Sequence, residues 1–176
     1  SLESILESIG DGLVVIDAAG QFLFVNKTAQ KVLGLQTHPI PVSQWTDTWL
    51  AAQGFFCADQ TTPMPAAAFP LIQAMAGQTV DSTELYVCPP GQAAGIWLNV
   101  TARPLNQNYK AERGIVAVFH NITHSKQTET ALRRAEQQSR QQTVQLEEAL
   151  FELQKTQAQL IQTEKMSGLE QLVAGI

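Results

Sequence analysis

Apolar residues recur along this chain in two different periods, a helical one and a strand one, which alternate before one long helical stretch. Leu2, Ile5, Leu6 and Ile9 follow the i, i+3, i+4, i+7 spacing of a short amphipathic helix at the start. GLVVID and QFLFVN then alternate or run apolar around an AAG turn, which predicts two paired strands. Asn26 precedes KTAQKVLG, a short helical pattern that closes on Gly34 as its C′ glycine. Residues 36–69 hold several prolines and few periodic signals, so loops and short helical turns are expected there. FPLIQAMAG, residues 69–77, reads as a two-turn helix ending at Gly77. STELYVCP, GIWLNVTARPL and RGIVAVFHNIT follow as three more strands, separated by the turn signals PPGQ and LNQNYKAERG.

Two strands, short helices and three further strands predict one antiparallel sheet of five strands with helices on one face, an α+β class. The last strand is apolar at both parities, Ile115, Ala117 and Phe119 against Val116 and Val118. Both faces of the sheet therefore call for cover. The central helices serve one face, and the N-terminal stripe or a second copy of the domain serves the other.

Near residue 124 the pattern changes. From Ser125 to Ser167 no Gly or Pro interrupts 43 residues rich in Gln, Glu, Leu, Ala, Lys and Arg. Such a stretch is one helix, on the order of 65 Å long at 1.5 Å per residue. Leu132, Ser139, Leu146, Leu153 and Leu160 fall seven apart, with Ala135, Gln142, Ala149, Thr156 and Thr163 three further on. One seam is leucine-rich and the other small or polar, which predicts a weak two-stranded coiled coil; the alternative is a lone solvated helix. Beyond Leu160 the stripe of Leu169, Leu172 and Ile176 lies two residues out of register, either a joint between two packings or a frayed end. The chain starts with Ser and its last stripe carries no stop signal, so it reads as part of a longer protein.

The net charge of −5 disfavours nucleic-acid and anionic-membrane partners, which select basic surfaces. No run of about 20 apolar residues and no signal peptide is visible, so a cytoplasmic module without a span is expected. Cys57 and Cys88 have no metal-type spacing and read as free thiols. His38 lies among prolines in a loop. His120 and His124 are four apart, but His120 belongs to a strand, so the pair lacks the helical geometry of a metal site and no metal is expected. There is no phosphate-binding glycine loop and no nucleophile–base pairing, so these residues are not expected to catalyse.

GDGLVVID, QFLFVNKTAQKVLG, GQTVDSTELYV, IWLNVTARPL and GIVAVFHNITHSKQ together resemble a PAS domain across residues 10–124. The resemblance implies a PAS fold and a sensory role. It also implies that Asn121, Ile122 and Thr123 stand where the family carries a D-I-T triplet joining the last strand to an output helix. Asn121 replaces the acid: it can cap a helix starting near Thr123 but cannot make the ion pair formed in many family members.

EKMSGLEQLVAGI resembles the opening of the dimerisation and phosphotransfer helix of bacterial sensor histidine kinases, in a form common in cyanobacteria. The implied organisation is an N-terminal helix (1–9), a PAS domain (10–124), a coiled-coil signalling helix (125–165) and the start of a phosphoacceptor helix (166–176). The implied parent is an ATP-dependent protein-histidine kinase. Its implied partners are a second copy of the chain, joined through Leu132, Ala135, Leu146, Ala149, Leu153 and Leu160 and through the N-terminal helix, and a response regulator.

Cofactor-bearing relatives of the fold leave little match. Neither Cys57 nor Cys88 sits in the flavin-attaching loop motif of light-sensing members, residues 65–77 contain no haem-ligating histidine, and no Cys-His context suits a bilin. No cofactor is evident; an unknown small molecule is left open, and a cofactor-binding photo- or redox sensor stays an alternative function. Val15, Phe69, Ile72, Met75, Leu85, Val87, Leu98, Val100 and Val118, with Asn26, are expected inside, either filling a core or bordering a ligand cavity. The same residues also suit a ligand-free dimerisation scaffold.

Overall fold

The computed structural model describes residues 2–35, 39–105 and 114–175, with side chains from Ser4 onward. His38 and most of the LNQNYKAERG turn lie outside the described residues, as do the side chains of Leu2 and Ile176. In chain order the elements are α1 (Leu2–Ser8), β1 (Gly12–Ile16), β2 (Phe22–Val25), α2 (Lys27–Leu33), α3 (Asp47–Gln53), β3 (Phe55–Phe56), α4 (Pro70–Met75), β4 (Val80–Val87), β5 (Ile96–Pro104), β6 (Ile115–Asn121) and α5 (Thr123–Ala174). The chain divides into two units, Ser1–Lys126 and Gln127–Ile176.

All strands of the first unit join one antiparallel sheet in the order β2-β1-β6-β5-β4-β3. The sheet has six strands rather than the expected five. The extra one, β3, is a two-residue edge pairing Phe55 with Val87 and Phe56 with Tyr86. Two residues are too few for period-two alternation to show, and only the neighbouring strand defines them. Gly54 makes the pairing possible. It ends α3 in the left-handed region at φ +82°, and a Cβ there would collide with the Cys88 carbonyl oxygen.

The turn between β1 and β2 is held by Asp17, whose Oδ1 accepts from the N–H groups of Ala19 (2.9 Å) and Gln21 (2.8 Å). Helix α2 begins at the Asn26 cap and ends on Gly34 at φ +62°, the C-terminal glycine that the pattern predicts. Pro70 opens α4 in the first turn, where its missing N–H costs nothing.

The helices α2, α3 and α4 lie on one face of the sheet. Between them and the strands sits the core, in which Val14, Ile16, Leu50, Phe55, Phe69, Leu71, Leu85, Leu98, Val100, Ala102, Ala117 and Phe119 have no solvent exposure. Trp45 is the hub. It stacks on Trp49 at 4.6 Å and meets Phe69 edge-on at 5.3 Å, and Phe55 meets Phe69 edge-on at 5.4 Å.

The second unit is helical from Gln127 to Ala174, and none of its described residues is buried. No helix among the described residues is long and apolar enough to cross a membrane.

Candidate functional site

Seven of the nine apolar residues expected inside define the face of the sheet toward the helices, or the helix above it. Phe69, Leu85, Leu98 and Val100 are fully buried and Val87 nearly so, while Ile72 and Met75 of α4 are half-buried against them. Val15 and Val118 point the other way, which corrects the expectation for both. In β1 the buried residues are Gly12, Val14 and Ile16, and in β6 they are Ile115, Ala117 and Phe119. The registers Val14 with Ala117 and Val15 with Val116 put each parity on a common face. Val15 and Val118 therefore share the outer face with Leu13, Phe24 and Val116, all half-buried. Two apolar parities cannot be told apart by periodicity; the helices decide which one is inside.

Asn26 is also inside, but it is fully occupied. With no solvent exposure, its Oδ1 accepts from the N–H groups of Leu13 and Ala29, both at 2.9 Å. Its Nδ2 donates to the carbonyls of Leu6 (3.2 Å) and Asp11 (2.9 Å). An Asn side chain offers two donors and two acceptor sites, so nothing remains for a ligand. Asn26 ties α1, the entry to β1 and the start of α2 into one knot. Thr28 and Glu7 add bonds to the same place, from Thr28 Oγ1 to the Ile9 carbonyl and from the Lys27 N–H to Glu7 Oε2. The capping pattern made the helix start legible; the two donations to α1 and Asp11 had no sequence signal.

Two clefts meet at Leu35 and Pro39. One of about 200 Å³ is lined by Phe22, Leu23, Phe24, Val25, Gln30, Leu35 and Pro39. The other, about 160 Å³, is lined by Leu33, Gly34, Leu35, Pro39, Ile40, Trp49 and Gln53. Neither includes any residue expected to border a cavity. Between sheet and helices the Trp45, Phe55 and Phe69 rings pack on one another, and Trp45 also meets Phe22 of β2 at 6.1 Å.

The junction is continuous. Strand β6 ends at Asn121, Ile122 bridges, and α5 begins at Thr123. Asn121 Oδ1 accepts from the Thr123 N–H at 3.0 Å, so the asparagine does cap the helix. The Ile122 N–H donates to the Trp97 carbonyl at 2.9 Å, and the Trp97 N–H donates to Thr123 Oγ1 at 2.9 Å. Thus Trp97 of β5 grips both residues that follow the capping asparagine. One turn on, Lys126 Nζ lies 2.6 Å from Glu84 Oε2 of β4 and 5.2 Å from the centroid of the Trp97 ring.

His120 Nδ1 lies 2.5 Å from Asp11 Oδ1, across the start of β1, and His124 is exposed in α5. Among the described residues, no group of three or more metal-ligating side chains comes together. Cys57 and Cys88 are both free. In the loop after β3, Asp59 accepts from the N–H groups of Thr61 and Thr62 and from the Thr62 hydroxyl. Those donors, the Thr62 hydroxyl first, hold its carboxyl well below the ordinary 3.8, at about 2.

Along α5 the seam residues Leu132, Leu146, Leu153 and Leu160 are 57–64% exposed in the single chain, and Ala135 and Ala149 are exposed beside them.

A family model for a PAS domain matches residues 1–63. Together with the sheet order and the helix that leaves β6, this makes the first unit a PAS fold with a C-terminal helix. No curated protein matches the chain. Several solved structures do at low identity. The E. coli DhaR(N)–DhaL complex is 19% identical over 68% of this chain, which spans only 34% of that one, with a TM-score of 0.43. The PAS domain of nitrogen regulation protein NR(II) from Vibrio parahaemolyticus is 16% identical over 69% of this chain and 99% of its own, at 0.44. A sensory box histidine kinase/response regulator from Burkholderia thailandensis is 15% identical over 80% of this chain and 98% of its own, at 0.46.

Proposed function

We propose that this PAS fold is the sensory and dimerising module of a two-component sensor histidine kinase, and that it works by biasing the packing of α5 against α5 of a second copy. The observation that supports the reading is the loop-free passage from β6 through Asn121, Ile122 and Thr123 into a helix of 52 residues whose leucine seam is exposed. A sheet movement at Trp97 is transmitted directly to the first turn of that helix, because Trp97 holds it by two backbone-anchored hydrogen bonds. Four leucines facing water are costly. Burying them against a partner returns roughly 1.5–2 kcal/mol each before the cost of association.

The small and polar second seam, Ala135, Gln142, Ala149, Thr156 and Thr163, keeps the pair weak. Alternative packings of such a pair lie close in energy, so a modest bias selects between them. The outer face of the sheet and α1, where Ile5 is 62% exposed, offer a second contact to the same copy. In this reading the helix delivers its bias to a phosphoacceptor helix beginning near Met166, ATP and a response regulator act on the parent kinase, and the module is cytoplasmic.

A competing reading, a dimerising scaffold with no ligand, is favoured by the aromatic packing around Trp45 and by the complete use of Asn26. Native mass spectrometry separates the two: an added small mass on each chain of a dimer supports a sensor, and a bare dimer supports the scaffold. Sedimentation tests what both share. The chain is expected to run as a dimer, and Leu146→Glu with Leu153→Glu to run as a monomer with an unchanged first unit. An unchanged mass in that variant refutes the coiled coil.

A further inference from the structure

We propose that Lys126 is a latch: held by Glu84 and the Trp97 ring, it sets whether the first turn of α5 is docked on the sheet or released. The inference deepens the reading of α5 as the output helix and rests on it.

The triplet at the junction carries Asn121 rather than an acid, and its side chain makes a neutral cap with the Thr123 N–H. The charge missing from the triplet is supplied elsewhere. Lys126, one turn into the helix, reaches back over Trp97 of β5 to Glu84 of β4. The ladder makes this reach possible. Glu84 pairs with Asn99 and Tyr86 with Trp97, so on the outer face the Glu84 carboxylate and the Trp97 ring stand diagonally side by side. Tyr86 supports the Trp97 ring at 5.4 Å between centroids, which fixes the surface over which the ammonium lies. The Lys126 side chain is 28% exposed and that of Glu84 40%, so the ion pair is partly shielded but not buried.

This arrangement suits a switch better than a permanent joint. A half-exposed ion pair and a cation–π contact are each weak, and water replaces both at small cost, which leaves the Trp97–Thr123 hydrogen bond as the remaining tie of the first turn to β5. The Lys126 N–H already bonds the Ile122 carbonyl, so release frees a formed helical turn from the sheet without breaking its first backbone bond. The latch spans β4, β5 and α5, and a shift in any of the three changes its length.

Hydrogen exchange on the intact chain tests this without invoking any kinase output. Lys126→Met, which keeps the stem, and Glu84→Gln are each expected to speed exchange of the amides of residues 123–130 by about 3–10-fold. Strands β1 and β6 should stay unchanged. The two changes together are expected to do no more than Lys126→Met alone, and the swap Glu84→Lys with Lys126→Glu to recover only the part owed to the ion pair, since a carboxylate cannot replace the ammonium over the Trp97 ring. An unchanged rate in either single variant overturns the latch. So does additivity of the two, or equal acceleration in β1 and β6, which would mark a general loss of stability. Sedimentation of the same variants keeps the outcomes separate, since a failed latch leaves the dimer untouched and a failed coiled coil appears there alone.

Discussion

Replacing Asn26 with Ala removes four hydrogen bonds at a site without solvent. The N–H groups of Leu13 and Ala29 are left without their acceptor, and an orphaned buried donor costs about 1–3 kcal/mol. The loss includes the cap of α2, about 1 kcal/mol by itself. The carbonyls of Leu6 and Asp11 lie nearer the surface and recover water, so they add little. The sum is about 3–5 kcal/mol, or roughly 10–20 °C in the melting temperature of a unit this size. Urea unfolding followed by tryptophan fluorescence reads it, because Trp45 sits in the core with Trp49 stacked on it. Asn26→Asp keeps both acceptances and loses both donations, placing a carboxylate against the Leu6 and Asp11 carbonyls. That unpaired buried charge should make its loss no smaller than that of Ala, and hydrogen exchange should show it reaching α1. A shift under about 1 kcal/mol for Asn26→Ala would refute the knot and return the side chain to a role as a ligand contact.

Other expectations follow from the same packing. Gly54→Ala is expected to destabilise the first unit by about 2 kcal/mol or more, since its Cβ meets the Cys88 carbonyl and φ is +82°; an unchanged urea midpoint would refute that close approach. Val15→Asp and Val118→Asp, half-buried on the outer face, should cost clearly less than Val100→Asp, which should unfold the first unit; equal damage at all three would contradict the assignment of faces. By NMR, Asp59 should titrate near 2. Its folded value is depressed, so its contribution is complete above the ordinary 3.8 and is lost as pH falls through 2. Titration at the ordinary value would show that the Thr61 and Thr62 donors are not made in solution.

Much of the architecture was legible from the chain because it is local. A stretch without Gly or Pro has no place to turn, and α5 contains the whole of it. Asn26 and Gly34 mark the two ends of α2, since a cap is satisfied within its own helix. The capping of α5 by Asn121 was readable for the same reason. The five longer strands announce themselves by length and branched or aromatic content, whereas β3 exists only because β4 runs beside it.

What the tertiary structure alone decided involves residues far apart in the chain. Which parity of β1 and β6 faces inward depends on where α2 and α4 pack, and apolar residues at both parities carry no preference. The Asn26 donations reach 20 and 15 residues back, and the Lys126–Glu84 pair spans 42. Neither is a motif, because the partners meet only after the sheet has paired. Residue type and spacing determine which backbone conformation a segment prefers; which side chains meet across the sheet is settled by register and twist, and those belong to the assembled fold.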